Sequence, residues 1–345
     1  MEDRVVHVPR GQAPLPVKNG LNPTRVRVSE EHAGMSAYEF VWHLIASQRR
    51  RHPDDTAEAL LSRFQGDQVI IGPKFRIASP ESTLKANEDI WFYRTPAPEI
   101  PVPYSCETIY EDDNLLVVNK PPFLATMPRG KHITQTATVQ MRRATGNGDL
   151  SPAHRLDRLT SGILVFTKNR KVRGAYQSLF AERKVTKTYH AIAPFSEDLT
   201  GNTLWRDHMI KTPGDMQGHI VPGPPNAETL LVDVTELDTQ ETAQLQKLHH
   251  VTTPLARYTL QPHTGRTHQL RLHMWAAGVP ILGDPAYPVI LAEEAEDFRV
   301  PMHLTAYQLT FLDPFSNTPG VLPCNKPHTP SVKEGCGYAK GRVGE

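Results

Sequence analysis

The stretch HRLDRLTSGILVFTKN, residues 154–169, joins a charged loop to an apolar run. In the loop a single carboxylate, Asp157, stands between Arg155 and Arg158, and His154 precedes them. The run SGILVFTKN that follows has the β-branched and aromatic composition of a buried strand. Taken alone, the loop is either a solvated surface segment or an acid that nearby cations hold ionised to act on an anionic polymer.

Apolar runs of strand length recur after residue 104, and they decide the fold class. They are NLLVVNKPP, SGILVFTKN, KTYHAIAP, ETLLVDVTEL, LARYTLQP and MHLTAYQLTFLDP. The run GAYQSLFAERKV is typical of a helix, but helices do not alternate regularly with the strands. The pattern predicts an α+β protein with a mixed, largely antiparallel sheet rather than a doubly wound fold.

The composition divides the chain into five segments. We predict an extended arm at 1–30, a small helix–helix–β unit at 31–95, a proline-rich linker PAPEIPVP at 96–103, a main domain at 104–320 and a flexible tail at 321–345. In the small unit, Ser36 with Glu39 forms a capping-box pattern, and Asp55 is the predicted N-cap of a second helix ending at Gly66.

Charge is unevenly distributed, although the formal net charge is only +1. Residues 141–190 carry eleven Lys and Arg against three acids, Asp149, Asp157 and Glu182. A basic block of this kind is typical of a nucleic-acid footprint, although a solvated helix face accounts for part of it. No apolar run is long enough for a membrane span, and the three cysteines are too scattered for a disulfide framework, so we expect a cytoplasmic protein.

Histidines and a kinase-like HRLD pattern suggest two further classes, and neither pattern is complete. His268 and His273 lie five residues apart in a predicted helix, about 140° around its axis, so they cannot share an ion. Cys324, His328 and Cys336 lack a fourth ligand. The chain has no Gly-rich loop, DFG sequence or Walker lysine loop. We therefore expect neither phosphoryl transfer nor a metal or organic cofactor.

The sequence GRTHQLRLHMWAAGVP, 265–280, predicts a helix with Thr267 as N-cap, an apolar stripe of Leu270, Met274 and Ala277, and a stop at Gly278. Arg266 and Arg271 would then lie near its N-terminal half. An arginine near Asp157 would hold that carboxyl ionised, but a purely structural Asp–Arg pair is the commoner explanation of such a pattern.

Several long motifs occur in an order that resembles the RluA family of RNA pseudouridine synthases. They are DDNLLVVNKPP, HRLDRLTSG, KTYHA, PHTGRTHQLRLHMWAAGVPILGDPAY and MHLTAYQLTF, and they cover about residues 104–315. The resemblance implies the pseudouridine synthase fold and the isomerisation of a uridine within RNA. The small unit at 31–95 looks faintly like an S4-type RNA-binding domain, although GDQVIIGPKFRI departs from the turn expected there.

The resemblance also implies the roles of three site residues. Asp157 matches the catalytic aspartate, which acts as nucleophile at the sugar C1′ or at uracil C6. Tyr189 matches the tyrosine that stacks on the base and assists removal of the proton at C5 or C2′. Arg271 matches the arginine that pairs with the catalytic aspartate.

RNA contacts are expected from a further set of residues in the same motifs. Among these, Arg155 matches an arginine that enters the RNA stack where the target nucleotide leaves. The set is Arg155, His154, Arg158, Arg266, His268 and Leu270. We expect a monomer that binds rRNA or tRNA and no membrane. The alternatives are a non-catalytic RNA-binding protein on the same fold and an N-glycosidase that releases uracil.

Overall fold

The computed structural model describes residues 4–9, 11–292 and 295–324, which form two compact units. The first unit contains residues up to Pro101 together with Ala125–Pro152, and the second contains Val102–Leu124 together with the residues from Ala153 onward. No helix in the described part of the chain is long and apolar enough to cross a membrane.

The first unit combines a four-stranded antiparallel sheet with short helices. Its elements are β1 (Thr24–Arg27), a 3₁₀ turn (Glu30–His32), α1 (Ala37–Ala46), α2 (Ala57–Gln65), β2 (Val69–Ile71), β3 (Arg76–Ile77), β4 (Asp89–Phe92), α3 (Ala137–Thr145) and β7 (Ser151–Pro152). The strand order is β1-β4-β2-β3. Because β1 pairs along β4, the predicted arm at 1–30 contains a strand of this sheet.

The helix caps of the first unit confirm one prediction and correct another. Ser36 and Glu39 form the predicted capping box of α1. The N-cap of α2 is Thr56, whose hydroxyl accepts a hydrogen bond from the Ala59 N–H. Asp55, the predicted cap, is instead fully buried and forms an ion pair with Arg63. This ion pair links α2 to the residue that precedes its N-cap.

Residues 125–152 pack with the N-terminal unit, although the sequence placed them in the later domain. Arg142 donates hydrogen bonds to Gly20 O and to the Asn22 side chain. The carboxylate of Glu99, in the predicted linker, accepts hydrogen bonds from three backbone N–H groups of residues 133–135, at 2.6–3.1 Å. The linker is therefore fastened to this segment, and a chain lacking residues 1–95 would lose the partners of α3.

The second unit is built on a mixed sheet. Its elements are β5 (Glu107–Glu111), β6 (Leu115–Lys120), β8 (Ser161–Thr167), α4 (Arg170–Ala181), β9 (Thr186–Pro194), β10 (Thr203–Ile210), β11 (His219–Val221), β12 (Ala227–Glu236), α5 (Thr239–His249), β13 (Leu255–Pro262), α6 (Gln269–Ala276), β14 (Leu304–Leu312) and β15 (Pro319–Pro323). The order is β11-β10-β12-β13-β9-β14-β8-β6-β5, with β15 beside β14. The β14–β8 pair is parallel and its neighbours are antiparallel, which confirms the predicted fold class.

The core of this unit forms where α6 packs against the central strands. Leu270 and Met274 of α6 are buried with Leu231 of β12 and Leu260 of β13. This apolar stripe was predicted from the helical period. The helix begins one residue later than predicted, because His268, with φ +59°, takes the N-cap position. The predicted tail begins inside β15, and residues 325–345 lie outside the described residues.

Gly162 marks the point where β8 approaches β14 most closely. Its φ is +103°, and a Cβ at this position would overlap the carbonyl oxygen of Ala306 and lie 2.7 Å from its nitrogen. We expect Gly162→Ala to lower the free energy of unfolding by about 3 kcal/mol or more, because strain and overlap act together. Gly146→Ala is the control, since it also has positive φ but open space around it, and should cost only about 1–2 kcal/mol. Equal losses in denaturant titrations of the two variants would contradict this reading of Gly162.

Buried histidines make the stability of this unit sensitive to acid. Burial lowers the pKa of His154 and His303 to about 3 and that of His273 to about 4, from 6.5. Below pH 6.5 the unfolded chain binds protons that the folded chain does not, so their stabilising contribution is complete above pH 6.5 and is lost as the pH falls to about 4 for His273 and to about 3 for His154 and His303. Each can contribute up to about 1.4 kcal/mol per pH unit. We expect Tm to fall steadily from pH 7 to pH 5, and His273→Asn to flatten that fall; a constant Tm would contradict the assignment.

Candidate active site

Two buried leucines fix the loop that carries Asp157. Leu156 and Leu159 lie in the interior, while Asp157 between them remains partly exposed. The Thr160 N–H donates to the Asp157 carbonyl oxygen at 3.1 Å, which closes a turn before β8 begins. Among the described residues, the Asp157 carboxylate has no hydrogen-bond or ion-pair partner. The loop therefore presents, at the protein surface, a carboxylate without such a partner.

A buried lysine is hydrogen-bonded to the backbone of this loop. The Lys120 side chain, at the end of β6, is fully buried, and its Nζ donates to Pro121 O and Leu124 O at 2.8 Å and to Arg158 O at 3.2 Å. Burial lowers the pKa of Lys120 to about 7, and the negative charge of Asp157 acts in the opposite direction. Lys120 thus fixes the peptide next to Asp157. Sequence analysis assigned it no role, because it sits within the strand run NLLVVNKPP.

Four ionisable groups on three elements of the unit lie within electrostatic range of Asp157. Its negative charge favours the protonated forms of Lys120 on β6, of Tyr189 on β9, and of His268 and Arg271 at the start of α6, although burial outweighs this effect and lowers the pKa of Lys120 and His268. Two of the three residues assigned to chemistry, Tyr189 and Arg271, therefore lie within electrostatic range of the third. Perturbed ionisable groups clustered around one acid are typical of a catalytic site.

Arg271 is held by a different carboxylate from the one expected. Its Nε and a terminal guanidinium nitrogen donate to the two oxygens of Asp284 at 2.6 and 2.5 Å, with side chains that are 5% and 0% exposed. The direct pair with Asp157 implied by the resemblance is not formed among the described residues. Asp157 instead adds a smaller electrostatic contribution to a guanidinium that Asp284 already holds in place.

Asp284 also organises the turn that follows it. Its Oδ1 accepts hydrogen bonds from the N–H groups of Ala286 and Tyr287 at 2.8 and 3.2 Å. The Tyr287 hydroxyl in turn accepts from Gly218 N–H at 2.7 Å and lies 3.0 Å from His268 Nδ1. Asp284 and Tyr287 belong to the quoted GDPAY motif, which is the signal that could have identified them.

Both aromatic and imidazole groups at the site are uncharged at neutral pH. Burial, and then the charge of Asp157, raise the pKa of Tyr189 well above its usual value. Burial, and then the charge of Arg271, lower the pKa of His268 to about 4. The site thus presents the unpaired carboxylate of Asp157, the ion pair of Arg271 with Asp284, and neutral rings.

The residues expected to contact RNA are exposed, paired with another side chain, or packed against other residues. Arg155 and Arg266 are exposed. Arg158 forms an ion pair with Glu296, and one of its terminal nitrogens lies 3.1 Å from Glu296 Oε2. His268 is bonded to Tyr287, as described above. The other two residues, His154 and Leu270, have packing positions.

For His154 and Leu270 the structure corrects the prediction. The His154 ring stacks on Phe180 at 4.3 Å between centroids, and its Nε2 accepts a hydrogen bond from the Val165 N–H. Leu270 lies in the hydrophobic core. Both were assigned by their place in a motif, which does not distinguish a side chain that faces the substrate from one that fixes the motif.

The arrangement suits attack by one carboxylate on an electrophilic carbon. An unpaired carboxylate beside a fixed guanidinium can form and release an ester, or stabilise a cationic centre. Within residues 4–9, 11–292 and 295–324, no three His, Cys, Asp or Glu side chains are grouped so that they could hold a metal ion.

Comparison with known proteins gives consistent matches over this part of the chain. A family described as RNA pseudouridylate synthase matches residues 114–276. The "Ribosomal large subunit pseudouridine synthase C" of Rickettsia bellii (strain RML369-C) is 32% identical over 67% of this chain and 71% of its own length. The "Dual-specificity RNA pseudouridine synthase RluA" of Haemophilus influenzae is 32% identical over 59% of this chain and 91% of its own length. The solved structure "Human RNA Pseudouridylate Synthase Domain Containing 1" has 26% identity and a TM-score of 0.51, covering 67% of this chain and 87% of that one.

Proposed function

Because this chain belongs to the RluA family of RNA pseudouridine synthases, we propose that it isomerises a uridine of ribosomal or transfer RNA with Asp157 as its nucleophile. The activity class is that of an isomerase, as in the relatives named above. The assignment of Asp157 rests on one observation. Among the described residues its carboxylate has no hydrogen-bond or ion-pair partner, and it lies within electrostatic range of Lys120, Tyr189 and Arg271.

The reaction exchanges one bond of the ribose for another. The N1–C1′ glycosidic bond breaks, the released uracil turns, and a C5–C1′ bond forms. The base loses the proton at C5 and gains one at N1, so no atom is gained or lost overall. An adjacent carboxylate stabilises or traps the positive charge that develops at C1′. Attack at uracil C6 is the alternative route for the same carboxylate. Uracil is its own acceptor, so no water has to be activated and one carboxylate suffices.

In this proposal each neighbour of Asp157 has a distinct role. Tyr189 stacks on the base and assists removal of the proton at C5 or C2′. Arg271, fixed by Asp284, is a fixed positive charge close to the reacting carboxylate. A stacked base is out of reach of a carboxylate, so the nucleotide is flipped out, and Arg155 enters the gap that it leaves. The exposed position of Arg155 supports that role.

The remaining proposals concern RNA and assembly. The names of the Rickettsia bellii relative and of a further one, the "tRNA pseudouridine synthase C" of Vibrio parahaemolyticus, point to ribosomal large-subunit RNA and transfer RNA as the substrate classes. We propose that the first unit acts as an S4-like RNA-binding unit, with its RRRH sequence at 49–52 near the phosphates. We further propose that the enzyme is a monomer that works in the cytoplasm without a metal ion.

Tritium release from 5-³H-uridine RNA, with a parallel assay for free uracil, tests the proposed function. We expect tritium release with no free uracil, because the base stays attached to its ribose. Free uracil in proportion to the tritium would indicate an N-glycosidase instead. RNA binding without tritium release, on RNA from a strain that lacks the gene, would indicate a non-catalytic RNA-binding protein. Activity should persist in EDTA; loss restored by zinc would contradict the metal-free proposal.

A further inference from the structure

A cleft opens between the C-terminal end of α6 and the β10–β11 hairpin, beside the groups already described. Its volume is about 370 Å³, which lies within the range of small-ligand sites. It is lined by Asp207, His219, Ile220, Trp275 and Ala276. None of these side chains has a role in the isomerisation proposed above.

The cleft is joined to the active site through one aromatic ring. The Trp275 ring packs against Tyr287 with 5.5 Å between centroids, and the Arg271 guanidinium lies 5.1 Å from the centroid of the same Tyr287 ring. Arg271 and Trp275 are four residues apart on α6, so their Cβ atoms are about 5–6 Å apart. The cleft therefore lies one helical turn from Arg271, which is within electrostatic range of Asp157.

Two walls of the cleft offer apolar surface to a flat ring. The side chains of Trp275 and Ile220 are 37% and 36% exposed. Ile220 is the cross-strand partner of Met209, whose side chain packs beneath α6 with Leu272, so Ile220 lies on the α6 side of the hairpin. A partly exposed indole opposite an aliphatic side chain is suited to stacking with an unpaired base, because every base has an aromatic face.

The cleft has two ionisable side chains, His219 and Asp207, and within the described part of the chain Asp207 forms no ion pair with a lysine or arginine. His273 Nε2 lies 3.3 Å from Asp207 Oδ2, but among the described residues this nitrogen makes no hydrogen bond. Burial lowers the pKa of His273 to about 4, so its ring carries no charge at neutral pH. A carboxylate repels phosphate and accepts hydrogen bonds from amino and imino groups. The occupant is therefore a base rather than a phosphate.

A cation lies at the end of β10, on the hairpin that forms one wall of the cleft, and its ammonium group donates to Asp215 O. Lys211 directly follows β10, and its charge contributes to lowering the pKa of His268 at the start of α6. A nucleotide whose base enters the cleft would thus have its backbone near Lys211.

We propose that this cleft binds an unpaired base adjacent to the target uridine, stacked on Trp275 with its hydrogen-bond donor edge on Asp207. Guanine fits best, since N1–H and the N2 amino group present two donors on one edge that a carboxylate can accept together. The inference rests on the proposed function, since it takes Asp157 to mark the position of the target nucleotide.

The test is a double-mutant cycle between protein and RNA. The Kd of a synthetic stem–loop that carries the mapped target uridine is measured for the wild type, Trp275→Phe and Trp275→Ala. Each protein is tested on the intact RNA and on RNAs in which one neighbouring nucleotide at a time is abasic. We expect Trp275→Ala to raise Kd about 5- to 150-fold on the intact RNA, and to have no further effect on one of the abasic RNAs. Trp275→Phe keeps a stacking ring and should lose less. Equal losses on intact and abasic RNAs, or no loss, would overturn the proposal.

A second arm tests the carboxylate. If the occupant is guanosine, inosine at that position lacks the N2 amino group and should weaken binding to the wild type but not to Asp207→Asn. An equal effect on both would remove Asp207 from the site. Phe315→Ala is the control, an exposed aromatic at the β14–β15 turn. Tritium release by the wild type is measured on the same RNA. No tritium release would refute the proposed function, whereas tritium release without the expected Kd changes would refute only the base-binding cleft.

Discussion

Replacing Asp157 with asparagine is expected to reduce tritium release by about 10⁴-fold or more while RNA binding stays within about tenfold. Asparagine keeps the shape of the side chain but cannot form the covalent link or stabilise positive charge at C1′. The carboxylate has no hydrogen-bond partner in the described structure, so its replacement breaks no internal contact. Single-turnover assays with enzyme in excess measure the chemical step directly.

The matched control is Asp113→Asn, an exposed aspartate before β6 that has no place in the site. It should keep the wild-type rate. Substantial tritium release by Asp157→Asn would show that another group is the nucleophile. A Kd increase far above tenfold would instead show that the Asp157 charge also shapes the RNA-binding surface.

Asp284→Asn is expected to lower the free energy of unfolding by about 3–5 kcal/mol, because it leaves the buried Arg271 without its counter-charge. We also expect the single-turnover rate to fall about 100-fold. Arg271 would turn toward Asp157, the other carboxylate within electrostatic range, and small displacements at a reacting centre have costs of this size. Denaturant titration and single-turnover tritium release measure the two effects separately.

Asp297→Asn provides the comparison, since its pair with Arg299 is solvent-exposed and should contribute no more than about 1 kcal/mol. Asp284→Glu restores the charge and should recover part of the stability. A stable Asp284→Asn variant with a wild-type rate would mean that Arg271 needs no fixed partner for catalysis.

Patterns local in sequence predicted the elements well. Alternation and apolar runs identified β6, β8, β9, β12, β13 and β14, and the helical stripe of Leu270 and Met274 identified the buried face of α6. These features depend on spacing within one segment, which the sequence displays directly. The more polar β10 and the three-residue β11 carry no such pattern, and both were missed.

Partner choice was not predictable in the same way. Arg271 could pair with either of two aspartates, and the choice of Asp284 depends on the turn that returns the chain to α6. The burial of Lys120 depends on three carbonyl groups, one of them 38 residues away. The packing of α3 against residues 19–22 likewise depends on a contact between distant segments. Such choices follow from tertiary geometry, which no single segment encodes.

The ion pair between Arg158 and Glu296 has a consequence for how RNA affinity responds to salt. A phosphate that binds a solvated arginine releases condensed cations from the RNA, and each such contact steepens the fall of affinity with ionic strength. At Arg158 the phosphate must displace Glu296, and the liberated carboxylate attracts a cation in turn. The cation released from the RNA is therefore nearly balanced by the cation taken up at Glu296. The salt slope therefore counts arginines such as Arg155 and Arg266, and Arg158 can contact RNA without contributing a full unit to it.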